Sequence, residues 1–217
     1  MKAKIAVATV SGIAYFQIVN ALKSRNIPFL SLTPDEFIPM EAKVVITTEH
    51  ERPLINHEKV LIFGNEMQLE VLINQAVQIA QGKESYEKVV IGVDPGEVFG
   101  LAVLADGIVV ETCNCFSIQE ALGKIENIVK SFCETRASSI LVKIGDGIKE
   151  CEEKLLEALN GMLPPNVMLE SVGEAGTNRH MNETKQRRGL RDIGSAIRIA
   201  GRNGQTFDRR KADEQDS

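Results

Sequence analysis

At 217 residues, 43% hydrophobic and a quarter charged, the chain can bury a proper core and suits one large domain or two small ones. No apolar run approaches the roughly 18 residues that a membrane helix needs, and Met1-Lys2-Ala3-Lys4-Ile5 leads straight into a strand pattern rather than a signal peptide. The net charge of −5 is mild, and the expectation is a soluble, cytoplasmic protein with no membrane partner.

Residues 1–81 read as a small α/β accessory domain. Strand Ile5-Ala6-Val7-Ala8 is followed by a helix from about Ile13 to Ser24 with Ser11 as its N-cap, then by strands near Phe29-Leu30, Lys43–Thr47 and Val60–Phe63. Alternating strand and helix suggests a parallel sheet. The loop Thr9-Val10-Ser11-Gly12 precedes a helix, where an anion could meet free amides, but it carries no glycine-rich phosphate motif. An accessory or dimerisation role, the latter implying a homodimer, is the expectation for this unit. Apolar residues at Leu69, Leu72, Ile73, Ala76, Ile79 and Ala80 have helical spacing, giving a bridging helix that Gly82-Lys83-Glu84-Ser85 ends.

Residues 86–204 carry a second α/β pattern. Val89-Val90-Ile91-Gly92-Val93 is a short apolar run that ends in Asp94, Pro95 and Gly96, so a buried strand runs out into a turn with a carboxylate at its mouth. A strand over 99–105, the hairpin signal Asp106-Gly107 and a strand over 108–116 follow. A helix from Ile118 to Thr135 leads to strand Ser139–Ile144, a helix over 148–162 to strand Val167–Glu170, and a last helix spans 186–202. Residues 205–217 read as a disordered tail. The four cysteines, Cys113, Cys115, Cys133 and Cys151, lack metal-site spacing; Cys113 and Cys115, two apart on a strand, share a face and read as buried reduced thiols.

The pattern Asp94-Pro95-Gly96, a few residues, Gly100, then Leu101-Ala102-Val103 resembles the first hairpin of the ribonuclease H-like superfamily, closest to RuvC-type junction resolvases and YqgF-type nucleases. The order β-β-β-α-β-α-β-α is also that fold's, which implies a mixed sheet with the first strand central and the fourth beside it in parallel. Gly100 follows Asp94 by six positions, one fewer than in the relatives. The resemblance covers residues 88–202 and implies a carboxylate cluster holding Mg²⁺ or Mn²⁺, since hard cations prefer oxygen.

On this resemblance Asp94 is a catalytic metal ligand. RuvC-type enzymes place a glutamate on the fourth strand, where this chain has Lys143; YqgF-type proteins carry one after the fifth, and Glu174 in Glu170-Ser171-Val172-Gly173-Glu174 takes that place. Asp192, on a closing helix like that of both families, is the third ligand. Asp146 and Glu170 are alternatives, Asp146 reading equally as a turn residue between two glycines, and Lys143 is a candidate phosphate contact. Independently of any family, at about 100° per residue Arg187, Arg191, Arg198 and Arg202 share one stripe of the closing helix. Ile193, Ala196, Ile197 and Ala200 share the opposite one, with Asp192 on the seam between them, and Gly189 and Gly194 are expected to let the helix approach the sheet closely.

From Arg179 to Lys211 ten Lys and Arg face three acids, a local +7 that leaves −12 on the rest of the chain. Such asymmetry fits phosphate-backbone contact, and Lys185, Arg187, Arg188, Arg191 and Arg198 are the candidate nucleic-acid-binding residues. The leading expectation is a metal-dependent nuclease acting on a DNA junction or structured RNA. Two alternatives stay open, a non-catalytic nucleic-acid-binding protein on the same fold and an actin-like nucleotide-binding protein.

Overall fold

The computed structural model describes residues 3–65, 68–173 and 185–209, without the side chains of 185–190. The chain divides into two compact units, Met1–Tyr86 with Ser131–Arg136, and Glu87–Lys130 with Ala137–Ser217.

The first unit has four strands, β1 (Ile5–Ala8), β2 (Phe29–Leu32), β3 (Val44–Thr48) and β4 (Val60–Phe63), in the parallel order β2-β1-β3-β4. Its helices α1 (Gly12–Ser24) and α2 (Leu69–Ala80) are amphipathic enough to bury Ile18, Leu22, Ile73 and Ala76 against Ile5, Val7, Val44 and Ile46 on one sheet face. Ala6, Ala8, Val45, Ala42 and Ile55 pack on the other. Burial on both faces explains why β1 and β3 read as unbroken apolar runs. Ser11 does cap α1, its hydroxyl accepting from the Ala14 amide at 3.4 Å. Asn26, at φ 54°, turns the chain out of the helix.

The second unit is a six-stranded mixed sheet flanked by helices. Strands β5 (Lys88–Asp94), β6 (Phe99–Ala105) and β7 (Ile108–Cys115) form an antiparallel meander, after which α3 (Ile118–Glu134) leads to β8 (Ser139–Gly145), α4 (Lys149–Met162) to β9 (Met168–Val172), and α5 (Lys185–Gly201) to β10 (Gln205–Thr206). The order across the sheet is β10-β9-β8-β5-β6-β7. Thus β5 is interior, with β8 parallel on one side and β6 antiparallel on the other. The β6–β7 turn is two residues, Asp106 at φ 47° and Gly107 at φ 80°, the doubly positive geometry that matches hairpin twist. The Asp106 carboxylate also accepts the Glu87 and Lys88 amides at 3.0 and 2.9 Å.

The register sets one face for α5. Val90, Gly92 and Asp94 on β5 lie level with Leu104, Ala102 and Gly100 on β6, and Val90, Ala102 and Leu104 pack with Ala196, Ile197 and Ala200 of α5. The approach is very close. A Cβ on Gly92 would lie 2.1 Å from the Ala196 carbonyl oxygen, and one on Gly100 2.3 Å from that of Asp192. The expectation that Gly194 admits this approach is corrected, because a Cβ there meets only Arg198, at 3.7 Å. The space is made by glycines of the sheet.

The expected disordered tail is corrected for residues 205–209. β10 pairs antiparallel with β9, the Phe207 amide donates to the Leu169 carbonyl at 2.9 Å, and the Arg209 guanidinium donates to the carbonyls of Asn160, Leu163 and Val167 at 2.9, 2.6 and 2.8 Å. Those carbonyls belong to and follow the last turn of α4, so one cation satisfies the orphan acceptors of a helix end. Residues 210–217 lie outside the described residues.

Candidate functional site

Asp94 ends β5 at the C-terminal edge of the parallel trio β5-β8-β9, where open α/β sheets meet ligands. Its lateral neighbours on the α5 side are both glycines, Gly100 paired with it on β6 and Gly145 one position beyond the last β5–β8 pair, Val93 with Ile144. The carboxylate therefore stands on a floor without side chains. Asp192 is carried to the same face by the α5 contact over Gly100, its side chain 15% exposed while that of Arg191 is 54% exposed. The seam position expected from helical spacing is thus the observed one. Arg191 Nε lies 4.0 Å from Asp192 Oδ1.

Asp146 follows β8 at the same edge. Its amide donates to the Val172 carbonyl at 3.1 Å, and its carboxylate is 3.7 Å from where a Gly173 Cβ would sit. It is both a turn residue and an acid facing the residue before Glu174. Glu174 itself, the expected second ligand, lies outside the described residues, as do the side chains of Lys185, Arg187 and Arg188. Among the described residues no three acidic, cysteine or histidine side chains form a group able to hold a metal ion.

Lys143 is not the phosphate contact expected of it. On the α5 face, one pleat short of Asp94, it is 5% exposed. Its ammonium donates to the Arg202 carbonyl just past α5 and lies 3.4 Å from the Glu170 carboxylate. A lysine here caps a helix C-terminus and neutralises a half-buried acid. Glu170 is thereby engaged with Lys143 rather than presented toward Asp94. Arg202 in turn donates to the Gly173 carbonyl at 3.4 Å.

Arg198 is exposed and donates to Ser195 Oγ at 2.8 Å, which folds it back over the preceding turn of α5. With Arg191 and Arg202 it forms the described part of the basic stripe. Asn114 was not singled out from sequence. It pairs with Gly100 from β7, on the α5 face, and its Oδ1 is buried with no hydrogen-bond partner. Only period-two alternation against Cys113 and Cys115 could have marked it. Those cysteines lie on the opposite face, Cys115 buried and Cys113 half-buried. Burial, with the neighbouring Cys115 adding to it, pushes the Cys113 thiol up to about 12, so it stays protonated and inert.

In the first unit the strand order reverses between β1 and β3, the point where such sheets bind ligands. Here the Glu51 carboxylate fills it. Thr9 and Thr48 hydroxyls each donate to Oε2 at 2.5 Å, and the Val10 amide donates to Oε1 at 2.8 Å. Burial works against the charge, but these hydrogen bonds outweigh it and hold the carboxyl below the ordinary glutamate range.

Residues 4–83 match a family of response regulator receiver-like domains. The match covers the first unit only, whose β2-β1-β3-β4 order is that of a doubly wound sheet with four strands. Sequence reasoning found its strands and helices but not this likeness, which short strands without a glycine signature do not announce. No curated protein matches the chain. No helix among the described residues is long and apolar enough to cross a membrane.

Proposed function

We propose that the second unit is a ribonuclease H-like domain that binds structured DNA or RNA and hydrolyses phosphodiesters with Mg²⁺ or Mn²⁺. The observation that carries this reading is the convergence of Asp94, on the interior strand, and Asp192, on the closing helix, around one glycine-floored sheet edge.

Asp94 and Asp192 fit as two hard oxygen donors on one side of a cation. A third would come from Glu174, or from Asp146 at the same edge. When bound, the ion would polarise a phosphoryl oxygen and lower the pKa of a water. The chain's own part is positional. Helix α5 fixes Asp192 relative to the sheet through backbone contact, and Arg191 and Arg198 supply the positive charge that draws a phosphate backbone to that edge.

Lys143, engaged as a helix cap on the strand where RuvC-type enzymes place an acid, favours a second reading in which the domain binds nucleic acid without cleaving it. An actin-like reading needs a second phosphate loop at Gly145-Asp146-Gly147, and the Asp146 amide is already bonded to Val172. The deciding assay incubates the full chain with a four-way DNA junction and a structured RNA in Mg²⁺ or Mn²⁺. Cleavage that disappears in Asp94→Asn, with unchanged circular dichroism, supports the nuclease. Salt-dependent binding without cleavage in either metal supports the second reading, and absence of both refutes the proposal.

A further inference from the structure

Phe116 is 73% exposed, and among the described residues of the second unit it is the one exposed aromatic side chain. A single exposed apolar residue is ordinary, but the position of this one is not. It directly precedes α3, where Ser117 Oγ accepts the Glu120 amide at 3.1 Å and the Glu120 carboxylate accepts the amide of Phe116 itself at 2.7 Å. These reciprocal bonds fix the backbone at the helix start, and an apolar residue there ordinarily packs down on the fourth helical residue, here Ala121. Ala121 is fully buried, yet Phe116 stays in water. The chain thus carries an aromatic ring on a fixed backbone and does not use it for packing.

The register places this ring at the candidate site's edge of the sheet. Strands β5 and β7 run in the same direction, and Asp94, Gly100 and Asn114 lie level across β5, β6 and β7. Phe116 follows two residues beyond Asn114, past the last β6–β7 pair, Phe99 with Cys115. Two strand spacings across and two residues along put its Cα about 12 Å from that of Asp94. A phosphate held at Asp94 and Asp192 has the base of an adjoining nucleotide within that span. Helix α5 supplies charge on the same side. Its Ala196 carbonyl lies over Gly92 on β5 and its Asp192 carbonyl over Gly100 on β6, so toward its N-terminus the helix travels in the direction of β7. Its first turns, with Lys185, Arg187 and Arg188 in their sequence, continue that way. Cations along a track beside an aromatic face are the combination that binds single-stranded nucleic acid.

We infer that Phe116 is the platform on which an unpaired base of the substrate stacks while the neighbouring phosphate lies at Asp94 and Asp192. The inference rests on the nucleic-acid reading of the second unit and narrows its substrate to strands with unpaired nucleotides beside the phosphate engaged. A base must be free of its own helix to meet a side chain face to face. Such stacking tolerates any sequence, because every base has a π-face.

The test measures binding of the full-length chain, without divalent metal, to a stem-loop RNA and a gapped DNA carrying 2-aminopurine in the unpaired stretch, with a fully paired duplex as control. The wild type is expected to bind the unpaired forms more tightly than the duplex and to quench the 2-aminopurine fluorescence. Phe116→Ala should lose about tenfold in affinity for the unpaired forms, together with the quench, and leave duplex binding and the melting temperature unchanged. Phe116→Leu should behave like Phe116→Ala, and Phe116→Tyr should keep both signals. A wild type without preference for unpaired nucleotides overturns the inference, as does a preference and quench that Phe116→Ala leaves intact or that Phe116→Leu retains; in each case the nucleic-acid reading stands. A wild type that binds none of the three overturns that reading and the inference with it.

Discussion

Placing Gly100→Ala tests whether backbone contact between α5 and the sheet is what brings Asp192 to Asp94. The added Cβ would lie 2.3 Å from the Asp192 carbonyl oxygen and 2.4 Å from its carbon. Ordinary contact begins near 3.4 Å, so α5 must retreat by more than an ångström at this residue, and the obstruction is backbone that cannot rotate aside. Overpacking of this kind costs about 1–3 kcal/mol, and the upper end applies because the helix is also held at Gly92 and Ala196. Misplacement of a ligand by about 1 Å can cost about a hundredfold in activity. Urea unfolding followed by the second unit's signal, together with Mn²⁺ titration, measures both effects. Gly194→Ala is the internal contrast. Its Cβ meets only an arginine, at 3.7 Å, so the ordinary helix preference for alanine should raise stability by about 0.5–1 kcal/mol. A Gly100→Ala protein within about 0.5 kcal/mol of wild type and with unchanged Mn²⁺ affinity would refute the reasoning.

Three further outcomes follow from contacts already described. Glu51→Gln should destabilise the first unit by about 1–3 kcal/mol at pH 7, read by thermal unfolding. Because the folded carboxyl titrates below its ordinary 4.5, its contribution is present above that value and lost as pH falls through the folded one, so the gap between variant and wild type should close in acid. A gap independent of pH would contradict this. Lys143→Met should cost about 1–3 kcal/mol, since it strips the cap from α5 and leaves Glu170 without its cation. Hydrogen exchange should show the loss at the α5 C-terminus first, and global loss with α5 still protected would argue against a capping role. Arg209→Ala should cost about 2 kcal/mol or more by leaving the end of α4 unsatisfied, and an unchanged melting temperature would mean that this arginine is not anchored.

Much of the second unit was legible in the chain because its signals are local. The β-branched run into Asp94, the Asp106-Gly107 turn and the 3.6-residue period of α5 each depend on neighbours in sequence. The seam position of Asp192 followed from the same period. Lys143 was misread for the opposite reason, since its partners Glu170 and Arg202 lie 27 and 59 positions away and become neighbours only through the β8–β9 register and the packing of α5. Arg209 was hidden likewise: a charged C-terminal segment looks like a tail until β10 adds to the sheet edge. Glycines carried a third kind of error. Gly194, visible within the helix, drew the close approach to itself, whereas Gly92 and Gly100 make the room from the sheet side. In the first unit the strands were legible, but Glu51 filling the reversal point between β1 and β3 depends on contacts 41 and 42 residues long.

Titration of the full-length protein with Mn²⁺, followed by electron paramagnetic resonance, tests the site at its root. The account predicts stoichiometric binding that falls at least about tenfold in both Asp94→Asn and Asp192→Asn, the two residues acting on one ion although 98 positions separate them. Binding that is absent in the wild type, or that survives either substitution unchanged, would contradict it.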